Sequence, residues 1–252
     1  VFNSATGQTL KLANAMIFNN VMLPDDGTTS VLTINGTFNI NGTLKTGANR
    51  TLDMQTNNSA LNAGGTTDNS GEIKLGSQPA KFTGAVTNSR TITGTEGTAE
   101  FKSTVTNSGT ITGGSGAVTF GGTVTNDGEI NGSSGTITFS GTTDNSGTIT
   151  ASDGAVTFGG SLTNNGTITG GSGAVTFGET INSGGITCST TTTVFNDAVT
   201  VSAGGTIKGT TGTAEFKSTV TNSGTITGGS GSVTFGGNVT NDGKITASNG
   251  AV

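Results

Sequence analysis

The stretch Gly154–Ser172, GAVTFGGSLTNNGTITGGS, decides the fold. It contains three short segments, AVTF, SLTN and GTIT, in which apolar and polar residues alternate as in a strand. The segments are rich in β-branched residues, which suit strands. Gly, Asn and Ser stand between them, as the chemistry of tight turns requires. Three strands and three corners in one nineteen-residue unit make one rung of a solenoid. Each rung pairs in parallel with the next at about 4.8 Å. A helix does not fit the Gly and Thr content or the period, and propeller blades and leucine-rich repeats have other lengths and signatures.

The nineteen-residue unit recurs on both sides of this stretch. Phe82, Phe101, Phe120, Phe139, Phe158 and Phe177 follow one another at a constant step of nineteen, as do Phe216 and Phe235, and Phe177 to Phe216 is two periods plus one. A second column runs Ile73, Ile92, Ile111, Ile130, Ile149 and Ile168, then Ile207, Ile226 and Ile245. A third holds Val86, Val105, Val124, Thr143, Leu162 and Ile181, then Val220 and Val239, and a fourth lies two positions before each Phe. Each rung therefore points about four side chains inward; in the quoted unit these are Val156, Phe158, Leu162 and Ile168. Asn stands six positions after most of the Phe residues, at Asn88, Asn107, Asn126, Asn145, Asn164, Asn222 and Asn241. Stacked amides of this kind can bond rung to rung. Gly follows two positions later, where it is expected to supply positive φ; Arg90 replaces it once, so that corner is expected to be distorted.

The composition agrees with a long, thin core. Of 252 residues, 45 are Gly and 54 are Thr, while only 29% are hydrophobic and 10% charged. Ordinary globular domains carry about 45–50% apolar and 25% charged residues. Disorder would need high net charge or a loss of β-branched residues, and the net charge is only −5. The reading is an all-β, right-handed parallel β-solenoid (β-helix) with three short strands per 19-residue rung. It should have about 13 rungs and a length near 60 Å, at about 4.8 Å per rung. Residues 1–60 read as degenerate rungs or a cap, with Ile34, Phe38, Ile40 and Leu44 on one face and Ala13–Leu23 open to a short helix. Residues 61–252 read as the regular solenoid, irregular around 185–203, where Thr190–Thr193, Val194 and Phe195 fit an odd rung or small insertion. The identical twenty-residue blocks Gly97–Gly116 and Gly212–Gly231 are offset by 115 positions. The array is expected to continue beyond this chain, or to meet other copies at its ends.

The same residues exclude much chemistry. The ten Lys and Arg are scattered, so no basic stripe offers itself to nucleic acid. No apolar run approaches a membrane span, and no signal-peptide pattern opens the chain. The absence of His excludes the usual zinc sites and His-based triads, and Cys188 is the sole cysteine. It reads as a small buried filler. A calcium-binding roll would need Asp where Val118 stands. Asp127, Glu129 and Asp144 lack the Lys or Arg partners and the long loops of a polysaccharide-cleaving cleft, and no exposed aromatic platform offers a sugar site. No enzyme activity, metal or other cofactor is therefore expected. The Thr-Ile-Thr triplets at Thr91–Thr93, Thr110–Thr112, Thr148–Thr150, Thr167–Thr169 and Thr225–Thr227 resemble the Thr-x-Thr faces of solenoid ice-binding proteins, an alternative reading. Glu129, Asn131, Lys208 and Lys244 interrupt that array.

The 19-residue period, the three-strand rung and the Asn-x-Gly corners resemble the repeats of filamentous haemagglutinin and related two-partner-secretion exoproteins, and are similar to autotransporter adhesin passengers. The resemblance covers about Leu61–Val252. It implies a right-handed β-helical fibre on a bacterial surface, secreted or cell-surface in location. On this reading the chain is the rigid shaft of an adhesin or a subunit of an extracellular filament. Self-association end to end or side by side is then expected, with any host-cell ligand held by regions outside this chain.

Overall fold

The computed structural model describes residues 7–12 and 16–246. Strands of mostly three residues succeed one another with no helix among the described residues. They form three parallel sheets of 13, 12 and 12 strands, and each strand pairs with the third strand before and after it. The chain is therefore a parallel β-solenoid of twelve complete rungs, with the first strand of a thirteenth. At about 4.8 Å per rung, the first sheet is about 58 Å long.

Most strands of the regular rungs follow the alternation of their sequence. In the first sheet Thr-Ile-Thr strands bury only the central Ile, as at Thr148–Thr150. In the second and third sheets Val-Thr-Phe and Leu-Thr-Asn strands bury both ends and turn the central Thr outward, as at Val156–Phe158 and Leu162–Asn164. Corner amides continue the rung-to-rung bonding. Ser146 N and Gly147 N both donate to Asn126 O, at 2.8 and 2.9 Å, and Thr148 N donates to Gly128 O at 2.8 Å. The corners therefore leave few peptide groups without partners.

The strands among the described residues before Leu61 belong to the same three sheets. Ile17–Phe18 and Val21–Leu23 are strands of the first rung rather than a helix; Ala13–Ala15 lie outside the described residues. Ile34, Phe38, Ile40 and Leu44 are all buried. The rungs here are longer: Gln8 pairs with Leu32, Val21 with Leu44, Ser30 with Arg50 and Phe38 with Leu61, steps of twenty to twenty-four. Arg50, 2% exposed, clamps them. Its Nε donates to Pro24 O at 2.6 Å, Nη1 to the Ser30 hydroxyl, and Nη2 lies 2.5 Å from the Asp26 carboxylate. Hydrogen bonds from the Thr28 hydroxyl and amide, followed by the Arg50 charge, hold the Asp26 carboxyl below its usual range.

The corner glycines have a different cause from the one expected. Among the described residues positive φ occurs at Gly27, Gly36, Gly204 and Asn58 only. At Gly147 the requirement is close approach, because a Cβ would lie 2.0 Å from Gly128 O of the preceding rung. Side chains cannot be accommodated where backbones stack this closely. Gly147→Ala is expected to cost about 3 kcal/mol, at the upper end of overpacking. Gly204→Ala has open space around it and meets only the cost of its φ of 87°, roughly 1 kcal/mol. Urea midpoints of the two variants check the order.

Candidate functional site

The residues singled out by the repeat form two ladders inside the rod. Phe82, Phe101, Phe120, Phe139, Phe158, Phe177, Phe216 and Phe235 lie in one continuous stack. Phe195 joins it between Phe177 and Phe216, so nine rings succeed one another at centroid separations of 4.5–5.1 Å and interplanar angles of 1–15°. Parallel rings whose carbon atoms touch at about 3.5–4.0 Å must slide sideways to reach these separations. That is the offset stacking that ring quadrupoles favour.

The seeming insertion around 185–203 is two compensating changes of rung length. Phe177 pairs with Phe195, a step of eighteen, and Phe195 pairs with Phe216, a step of twenty-one. Together they account for the two periods plus one. The corner between Phe177 and Thr180 is one residue short, so Thr180, not Ile181, pairs with Leu162. A one-residue slip exchanges the two faces of a strand. Ile181, expected inward, is accordingly 44% exposed while Thr180 is fully buried.

The third sheet carries the Asn ladder. Asn69, Asn88, Asn107, Asn126, Asn145 and Asn164 each donate Nδ2 to the Oδ1 of the next Asn, ending at Asn182, in six bonds of 2.7–2.8 Å. All seven side chains are buried. The second amide hydrogen serves the corner: Asn126 Nδ2 also reaches Gly128 O and Thr148 O, each at 3.2 Å. Asn69 and Asn182 fall outside the spacing rule because neither has a Phe six positions before it. Val201 then interrupts the ladder, and Asn222 resumes it with a 2.7 Å bond to Asn241. Beside Val201 the Asn222 Oδ1 is buried without a partner. The Val201 corner is longer and closes by a backbone turn instead, Gly205 N to Ser202 O at 2.9 Å. At Arg90 the Asn88 bond to the corner carbonyl lengthens to 3.5 Å, against 3.2 Å at Asn107. The Arg90 guanidinium runs back along the stack to Ala48 O, 2.6 Å away.

The other groups are dispersed. Asp127, Glu129 and Asp144 are exposed, with Glu129 on the first sheet and Asp144 on the third. Among the described residues no group of three or more His, Cys, Asp or Glu is placed to hold a metal ion, and no helix is long and apolar enough to cross a membrane. Lys81, Glu100 and Lys102 form exposed pairs of 3.5 and 3.6 Å, each contributing under about 1 kcal/mol. Cys188 is 1% exposed. Burial pushes its thiol up to about 11, only partly offset by a hydrogen bond with Thr193. Cys188 is therefore expected not to react with a thiol reagent at pH 8 until urea unfolds the chain. The unfolded thiol ionises first, so stability should fall as pH rises from about 9 to 11. Cys188→Ala should lack that slope. No protein-family model, curated protein or solved structure matches the chain.

Proposed function

We propose that this chain is an extracellular structural protein, the rigid shaft of a bacterial surface adhesin or a subunit of an extracellular filament. One observation carries the reading: three parallel sheets run unbroken along the rod, around a nine-ring Phe stack. Side chains that serve only their neighbours above and below make a body whose product is length and stiffness. Polar Thr surfaces and a thiol shielded from oxidants suit an exposed location. The role is mechanical, without catalysis or cofactor.

The decisive experiment is protease shaving of intact cells of the source organism, followed by immunoblotting of medium, surface and cytosol. The shaft reading expects the protein in the medium or shaved fraction, and recovery from the cytosol alone would overturn it. Electron microscopy of purified material distinguishes the two forms: isolated rods for a shaft, end-joined or laterally bundled rods for a filament subunit. The ice-binding alternative is weaker on geometry. The outward pairs Thr91/Thr93 and Thr110/Thr112 give way to Glu129/Asn131. After Thr148/Thr150 and Thr167/Thr169, Gly185 and Lys208 break the array again. No thermal hysteresis is expected from a freezing assay on the purified chain.

A further inference from the structure

The geometry points to residues 97–211 as an exchangeable six-rung module, so that the reach of the rod is set by the number of modules it contains. The inference rests on the solenoid stacking itself and holds whether the rod serves as a shaft or a filament subunit.

Gly97–Gly116 and Gly212–Gly231 are identical, and the likeness continues through residues 97–131 and 212–246, which differ at four positions only. These are Ala117 against Ser232, Thr123 against Asn238, Glu129 against Lys244 and Asn131 against Thr246, and none of the eight is buried. The offset between the blocks is six rungs in the structure, because the short step to Phe195 and the long step after it cancel to within one residue. The blocks meet their upper neighbours in the same way. Ala99 pairs with Val118 as Ala214 does with Val233, and Phe101 with Phe120 as Phe216 does with Phe235. Both ring pairs lie at 5.0 Å, and Asn107–Asn126 and Asn222–Asn241 both bond at 2.7 Å.

The lower neighbours differ, and the block accepts both. The first copy rests on Ala80, Phe82, Val86 and Asn88. The second rests on Thr193, Phe195, Val199 and Val201. The rung-skipping Arg90–Ala48 bond lies outside 97–211, and within a solenoid the stacking contacts are those between adjacent rungs, so a second copy of 97–211 inserted after Thr211 creates no stacking contact without a close precedent in this chain. Removing 97–211 likewise joins Glu96 to a block identical to the one it normally precedes. Each module adds about 29 Å, six rungs of about 4.8 Å.

The test is a set of three purified chains measured beside the parent: one with 97–211 inserted again after Thr211, one lacking 97–211, and one lacking 97–206, which shifts the phase by five positions. Small-angle scattering and circular dichroism read length and strand content. The proposal expects the first two to be folded rods, longer and shorter than the parent by about 29 Å at the sheet spacing, with strand signal per residue unchanged. It expects the out-of-phase chain to lose strand signal or aggregate. Aggregation of the in-phase insertion and deletion, a length change far from that of six rungs, or equal behaviour of the out-of-phase deletion would overturn the module. None of these outcomes bears on where the protein resides.

Discussion

Phe139→Ala is expected to lower the unfolding free energy by about 3–5 kcal/mol, the range for removing a large buried aromatic side chain. Phe139 is fully buried and lies between Phe120 at 4.9 Å and Phe158 at 4.7 Å. Its neighbours cannot close the gap, because the sheet spacing holds the rungs above and below in place. The loss therefore combines transfer, stacking and cavity contributions. It is read as a fall in the urea midpoint. A broadening of the transition is also expected, since a weak rung divides a one-dimensional array into two cooperative parts. Phe139→Leu, which fills part of the space, should cost clearly less. Equal midpoints for the Ala and Leu variants, or a Phe139→Ala loss under about 1 kcal/mol against the usual range for such truncations, would mean that the ring stack does not support the rod.

Asn126→Ala should cost on the order of 2–4 kcal/mol, because it strips partners from several buried groups at once. Asn145 Oδ1 loses its donor, and Asn107 Nδ2 loses its side-chain acceptor. The carbonyls of Gly128 and Thr148 each lose a bond as well. The rod already contains one interruption of this sort at Val201, and there the corner is rebuilt by the Ser202–Gly205 turn. The corner after Asn126 is too short for such a turn. Alanine at the exposed Asn165 is the control and should shift the stability by less than about 0.5 kcal/mol. If the two variants melt alike, the amide ladder contributes nothing to stability. The reverse substitution, Val201→Asn, offers Asn222 Oδ1 its missing donor and tests the same bond by addition.

The limits of reading a ladder by counting show at particular residues. Phe101 and Phe120 are legible as neighbours because their rung keeps the constant step. Phe195 is not, because the rungs on either side of it take steps of eighteen and twenty-one, and no constant step reaches it. The same step assigns Ile181 to the core although the shortened corner turns it outward. Asn69 escapes for lack of a Phe six positions before it. The Arg50 clamp escapes as well, because it joins Pro24, Asp26 and Ser30 across rungs that share no period.

Order of residues alone settled the architecture: alternation forces strands, and a sustained period forces each rung onto the last, since only stacking removes its apolar side chains from water. It also settled which columns fill the core wherever rung length stays constant. Folding in three dimensions decided the rest. The corner glycines are required by carbonyls of the rung below rather than by positive φ, because backbone clearance is a distance between segments far apart along the chain. The continuity of the two ladders was decided there too. A hydrogen bond or a ring contact depends on which rung lies opposite, and corner length, not spacing from a marker residue, sets that register.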